Sequence, residues 1–407
     1  MASFNGFIRK APAQRLEQFC SARGLSVPDG FDWISEGRGT ELVKSINALI
    51  SDLPELKQDQ IKAELGLLAT LSDDVGTTAT EQVCSGRGVE IEGMEGAEDV
   101  LLFIAIEHSD LLNKIEAQAS MSRWNGGRNW STFQFKDDGK PWALDSEGAR
   151  RQFLQDTLAI LELPKHRNHL ADWYETVRIE PFGGGETNLI NATIYIEERA
   201  ASELSFDDKA SLERKTVAKV LEVGVSCDTK SRIVEICTKR GGKKIRDMFS
   251  TAFARNFAPL SDPPVEVPRR QVLLHRLKRE PDFEVRPSDG IERIEVSSLD
   301  FGYAGQGIAR FERRGQGETI YQFLERRFGS LSPLTSGGWT IIAATLRIVL
   351  AAREGKRSRT LTVTLRLPNT TTLPNKTEKD RQFTFALLER WGLLAPPPDP
   401  FEVVEDD

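Results

Sequence analysis

Four cysteines and four histidines are all the soft metal ligands that 407 residues supply. Cys20, Cys84, Cys227 and Cys237 are scattered, so no two stand at the spacing of a zinc knuckle or a redox pair. Thiols so dispersed fit a reducing compartment, and the cytoplasm is the expected location. His166 and His169 lie three apart with Asp172 close by, which would let one helical turn share a metal, yet no cysteine is near to complete a set. No metal or other cofactor is therefore expected. Long apolar runs are missing as well: the opening MASFNGFIRKAPAQ has none, and the most apolar stretch, residues 340–352, is short and interrupted by Arg347. Neither secretion nor membrane spanning is supported. Phosphate loops are lacking too. FGGGETN from Phe182 and FGYAGQG from Phe301 are without the strand, turn and helix order ending in Lys-Ser or Lys-Thr, and the first, set between two predicted strands, reads as a hairpin turn.

What the chain does have is length, a globular composition and an uneven charge. With 407 residues, 39% hydrophobic and 28% charged, there is material for two or three folded domains. The net charge of −7 conceals a strong asymmetry. Over 232–280, 12 Lys and Arg stand against 5 Asp and Glu; over 306–359, 10 stand against 4; the intervening 281–305 has 2 against 6. A chain that is acidic overall is thus basic over 232–359, the footprint of a surface that meets DNA or RNA.

The predicted fold class is α+β: a helical N-terminal domain followed by mixed, largely antiparallel sheet-and-helix regions. Apolar residues at helical spacing, such as Leu42, Ile46, Leu49 and Ile50, recur over 12–20, 41–53, 56–71, 97–106 and 111–119, giving an acidic helical domain over 1–121. Residues 122–257 follow as a Gly, Asn and Trp-rich loop, a helix over 146–163, four strands of period two beginning near Trp173, and a helix over 243–256 with Ile245, Met248, Phe249, Ala252 and Phe253 inward. Four prolines in 258–268 mark a linker. A mixed α/β domain over 269–394 carries strands near 294–298, 307–312, 340–350 and 361–367, and helices over 320–328 and 377–391. The last helix has a capping-box pattern in Asn375 and Glu378 and an inward stripe of Phe383, Leu387 and Trp391. The acidic tail, 395–407, is expected to be disordered.

Three segments carry candidate chemistry. In TKRGGKKIRD a strand runs through Gly241 and Gly242 into a helix N-terminus, where free N–H groups and the dipole favour an anion, and Lys239, Arg240, Lys243, Lys244 and Arg246 add positive charge. The bland alternative is an exposed turn with solvated cations. In PRRQVLLHRLKRE, Arg269, Arg270, Arg276, Lys278 and Arg279 surround an apolar Val272, Leu273, Leu274 and Leu277, so that a helix or edge strand would show one basic face to a phosphate backbone. In SRWNGGRNWSTFQF, Arg123 and Arg128 alternate with Trp124, Trp130, Phe133 and Phe135; such aromatics can stack single-stranded bases, but burial in packing is the better expectation. Asp228, Glu235 and Lys239 lie on or beside predicted strands, but a metal-dependent nuclease core wants its acid and lysine two residues apart, and Glu235 and Lys239 are four apart.

No motif commits the chain to one chemistry. The expectation is a subunit that binds nucleic-acid backbone or serves assembly in a multi-protein intracellular system, such as bacterial genome defence. DNA or RNA would meet the basic 232–280 and 306–359 regions, and a protein partner or second copy would meet the acidic N-terminal domain. The alternatives are a metal-dependent nuclease or other hydrolase with a dispersed active site, and a non-catalytic scaffold.

Overall fold

The computed structural model of the chain describes residues 4–25, 27, 31, 33, 39–124, 129–183, 185–206, 211–259, 261–313, 317–352, 358–373, 376–397 and 399–401. Helices and antiparallel sheets make up the fold, which is of the α+β class. It divides into two compact units: unit 1 comprises Met1–Trp130, Gly139–Arg178 and Glu186–Leu260, and unit 2 comprises Ser131–Asp138, Ile179–Gly185 and Ser261–Asp407.

Among the described residues, unit 1 opens with the helices α1 (Phe4–Lys10), α2 (Ala13–Ala22), α3 (Thr40–Ser51), α4 (Glu55–Leu71), α5 (Asp74–Arg87), α6 (Gly96–Glu107) and α7 (Leu112–Trp124). Their apolar stripes meet in one core that includes Ile8, Leu16, Leu42, Ile46, Leu65, Leu102 and Ile115, all essentially removed from water. The sequence pattern misses α5, whose Thr-rich DVGTTATEQVCSGR has few apolar residues. Capping supports it instead: Asp73 accepts a hydrogen bond from Gly76 N at 2.7 Å, and Gly88 ends the helix in the left-handed region.

After β1 (Trp130–Gln134) and α8 (Glu147–Ile160), the chain forms β2 (His169–Ile179), β3 (Glu186–Glu197), a small exposed hairpin of β4 (Ala201–Phe206) and β5 (Leu212–Val217), β6 (Val220–Asp228) and β7 (Ile233–Thr238), then α9 (Gly242–Phe257). The order across the sheet is β2-β3-β6-β7, with β3–β6 and β6–β7 antiparallel. Strand alternation explains how this sheet is covered. Trp173 faces α9, its ring 5.5 Å from Phe257, in a cluster with Phe153 and Phe253. Its neighbour Tyr174 faces α7: its hydroxyl donates to Gln118 Oε1 at 3.2 Å, and Gln118 Nε2 donates to Gln82 of α5 at 3.0 Å. One sheet face is thus apolar and aromatic, and the other carries a polar hydrogen-bonded group at its centre. All four cysteines are buried and unpaired, and burial pushes the Cys84 thiol up to about 11 and the Cys20 and Cys237 thiols up to about 12.

Unit 2 contains β8 (Val265–Glu266), β9 (Ile291–Tyr303), β10 (Gly307–Glu312), α10 (Ile320–Phe328), β11 (Trp339–Leu350), β12 (Arg359–Arg366), β13 (Thr370–Thr371) and α11 (Glu378–Arg390). Its antiparallel sheet runs β10-β9-β11-β12-β13, and β8, within the proline-rich 258–268 stretch, pairs with β1. Leu299, Phe301, Leu346, Val363 and Leu365 of the strands share a core with Ile320 and Leu324 of α10. Asn375 lies outside the described residues; the N-cap of α11 is Thr377, which accepts from Asp380 N at 3.1 Å. Of the expected inward stripe, Leu387 is buried, whereas Phe383 and Trp391 are half-buried. In the acidic tail, Ala395 N donates to Gln271 O at 2.9 Å, and residues 402–407 lie outside the described ones.

Candidate polyanion-binding surface

The β7–α9 turn belongs to unit 1. Thr238 Oγ1 accepts from Arg240 N at 3.2 Å, which closes the strand end, and Gly241 (φ 87°) and Gly242 (φ 62°) then swing the chain into α9. A left-handed φ is what glycine tolerates and other residues resist. No side chain caps α9, and its first turn holds no acid. Its N-terminus therefore has no side-chain cap, as is also true of α2, α3, α4 and α6. Lys239, Arg240, Lys243 and Lys244 are exposed around this end. Arg240 Nη1 lies 3.0 Å from Glu198 Oε1, an exposed ion pair of the weak kind. Arg246 is placed differently from the others. It is 5% exposed and shares the buried face of α9 with Phe249 and Phe253, so it belongs to the interior and not to the surface expected for it.

The second run, Arg269–Arg279 in number order, lies in unit 2 and is neither a helix nor an edge strand. It is extended through Val272, which bridges to Leu394, and then makes a 3-10 turn over Leu274–Lys278. The physical reason is the three-residue repeat: a 3-10 turn places Leu274 and Leu277 on one face, and both are fully buried. Arg270 is spent on structure, since its Nε donates to Ala395 O at 2.8 Å and its Nη1 meets Glu389 Oε1 at 2.8 Å. Arg269, Arg276 and Arg279 are exposed, and Lys278 is half-buried.

Among the described residues of 306–359, most cations stand against acids. Arg310 stands 3.6 Å from Asp300, Arg313 3.5 Å and Arg326 2.8 Å from Glu318, Arg347 3.0 Å from Glu295, and Arg359 2.5 Å from Asp380. Sequence counting could not see this, because Asp300, Glu295 and Asp380 come from outside the stretch.

The weaker candidates also have ordinary placements. His169 opens strand β2 and does not share a helical turn with His166; its Nδ1 donates to Arg167 O at 2.5 Å. Asp228 fastens a turn, accepting from Lys230 N and Ser231 N, each at 3.0 Å, and pairing with Arg178 Nη2 at 3.0 Å. Burial opposes its charge, but the Ser231 hydrogen bonds and the Arg178 guanidinium hold the carboxyl below the usual carboxylate range. Phe133 and Phe135 are buried, as packing requires, while residues 125–128 lie outside the described ones. Among the described residues, no three His, Cys, Asp or Glu side chains gather as a metal site needs, and no helix is long and apolar enough to cross a membrane.

One cluster was not foreseen. Register pairs Tyr195 of β3 with Glu222 of β6. Burial first, then Glu222, Asp172 and Glu116, push the Tyr195 hydroxyl up to about 12. Burial also raises the Glu222 carboxyl, with Lys239 pulling the other way. Acids from β2, β6 and α7 thus lie near the foot of the basic turn, and only the strand register could have revealed it. No protein-family model matches the chain, and no curated protein matches its sequence.

Proposed function

We propose that the protein binds the backbone of a nucleic acid at the β7–α9 turn of unit 1, as a subunit of a cytoplasmic multi-protein assembly. A single observation carries the reading: Lys239, Arg240, Lys243 and Lys244 crowd, exposed, around the uncapped N-terminus of a 16-residue helix whose first turn has no acid. Cations there oppose the helix dipole, and a bound phosphate would meet both the cations and the positive end of the helix. Backbone contact of this kind positions a strand without reading its bases. Arg269, Arg276 and Arg279 of unit 2 are the exposed arginines of the second run.

The test is the salt dependence of binding to duplex DNA and to single-stranded RNA. Each phosphate neutralised contributes about 0.9 to the slope of log K against log salt on duplex DNA. Replacing Lys239, Arg240, Lys243 and Lys244 together by Ala should weaken binding and flatten the slope by up to about 3.6 on the same scale. Exposed substitutions of this sort usually change stability by no more than about 0.5 kcal/mol, so the variant should remain folded. An unchanged slope in the folded variant would remove the proposal.

A further inference from the structure

The five-stranded sheet of unit 2 ends differently at its two edges. At one, β13 is only two residues long, a length at which a strand offers little to a neighbour. At the other, β10 runs for six residues, GIARFE, with no proline, lysine or bulge. Its register with β9 is unbroken from Gly307 opposite Tyr303 to Glu312 opposite Ser298. Among the described residues no strand pairs with its outer side. A long, regular edge without protective devices is a template for a further strand.

The ladder shows which groups β10 offers. Arg313 N, just past the strand, donates to Ser297 O at 2.8 Å, so the backbone of Arg313 faces β9. Alternate residues of an antiparallel strand bond to the same neighbour, so Phe311 and Ala309 face β9 as well. The N–H and C=O groups of Arg310 and Glu312 therefore point to the open edge. Side chains alternate across the sheet in the same way. Phe311 lies on the core face, half-buried, with its ring 5.4 Å from the exposed Phe328 of α10. Arg310 and Glu312 lie on the opposite face, both exposed. Arg310 stands 3.6 Å from Asp300 and 3.8 Å from Glu312, so neither acid holds its guanidinium at hydrogen-bond length.

We propose that β10 pairs antiparallel with β10 of a second copy, about a two-fold axis at Phe311, and so joins two sheets into one. Symmetry restricts the register. A two-fold relating antiparallel edge strands runs perpendicular to the sheet, and it must pass between one residue and its own copy. Placed at Arg310, the axis would set like charges opposite each other, which destabilises a pair. Placed at Ala309, it would leave Arg310 opposite an isoleucine. Placed at Phe311, it sets Arg310 opposite the partner's Glu312 and Glu312 opposite the partner's Arg310, while Phe311 meets its own copy on the core face. Those same two positions carry the backbone groups that point outward, so charge and ladder agree on one register. The pairing owes nothing to the basic turn of unit 1, and either proposal can fail alone.

Sedimentation velocity on the full chain tests it. Mass should rise from monomer to dimer as concentration increases over about 1–100 µM, the weak range expected for a short strand pairing. Arg310→Glu and Glu312→Arg, both at exposed positions, should each weaken dimerisation at least about tenfold, because like charges then face each other twice across the axis. An equimolar mixture of the two variants should dimerise again, since every acid of one then meets a base of the other. The double variant carrying both changes should also recover the wild-type affinity, and thermal unfolding checks that each variant is folded. A chain that stays monomeric to about 100 µM, single variants that dimerise as tightly as wild type, or a mixture and a double variant that both stay monomeric would each overturn the proposal.

Discussion

Replacing Gly241 by Ala tests how tightly the β7–α9 turn is packed. Two costs combine. The backbone there has φ 87°, and a non-glycine residue in the left-handed region costs about 1–2 kcal/mol. An added Cβ would also lie 2.7 Å from Ile245 Cβ and closer still to its Cγ1. Ile245 is β-branched and set in a helix, where one χ1 rotamer dominates, so it cannot swing aside. Overpacking of this sort costs about 1–3 kcal/mol, and the sum is about 2–5 kcal/mol. Gly242 provides the control. Its φ of 62° carries the backbone cost, but nothing lies within 4 Å of its added Cβ, so Gly242→Ala should cost about 1 kcal/mol. Urea unfolding followed by tryptophan fluorescence reads the difference, because Trp142 and Trp173 lie 5.6 Å from Phe253 and 5.5 Å from Phe257 of α9. The unit 1 transition should be compared by itself, since a chain of two units need not unfold in one step. Equal midpoints for the two variants would show that Gly241 is not pressed against Ile245, and the proposed anion site would lose its geometry.

Two further substitutions probe other elements. Asp228→Asn should lower stability at pH 7 and cease to matter in acid: a carboxyl held below its unfolded value of about 3.9 stabilises the fold above that pH, and the contribution disappears as pH falls through the lower folded value. Midpoints for wild type and variant should draw together progressively as pH falls below about 4, and a gap that stays constant into acid would mean that the Asp228 charge, held by Ser231 and Arg178, is not its source. In α11, Leu387→Ala should cost about 2–5 kcal/mol because Leu387 is fully buried, whereas Trp391→Ala should cost roughly half of the 3–5 kcal/mol of a fully buried aromatic. Trp391 keeps a hydrogen bond from its Nε1 to Glu284 O and a ring contact with Phe283 at 4.7 Å, and a larger loss than for Leu387 would contradict its half-exposed position.

Elements whose pattern is strong were legible before any coordinates. The helix expected over 320–328 is α10, Ile320–Phe328, because Thr319 and Gln322 form a capping box and Ile320, Tyr321 and Leu324 mark its buried face. Strands β3, β6, β7, β9, β11 and β12 emerge where alternation is clear. The β4–β5 hairpin was not visible, since β5 is exposed almost throughout and leaves no periodic trace. The rotation of α9 was legible and was misread. Ile245 and Met248 look like members of the apolar stripe, yet Arg246, Phe249, Phe253 and Phe257 are the buried set, and their spacing of three, four and four is the better helical repeat. Met248 is 40% exposed as a result. A long arginine can run its aliphatic stem through such a face, which hydropathy alone does not anticipate.

Charge is where linear reading and folded structure part most clearly. A count along the chain adds Lys and Arg over a window, but a polyanion responds to the field that remains after each cation has met its neighbours. Over 306–359 those neighbours are acids brought in by strand register and by helix docking: Glu295 faces Arg347 across β9 and β11, and Asp380 at the start of α11 receives both Nη atoms of Arg359. The described cations of that window are thus largely met by acids of the fold. Over 239–244 the outcome differs. Four cations occupy six positions at a turn too short to bury any of them, and Arg240 stands 3.0 Å from Glu198. The helix that follows adds its positive end to theirs. The same chain thus turns many cations of one basic region toward its own acids and sets those of the other, exposed, at a helix terminus.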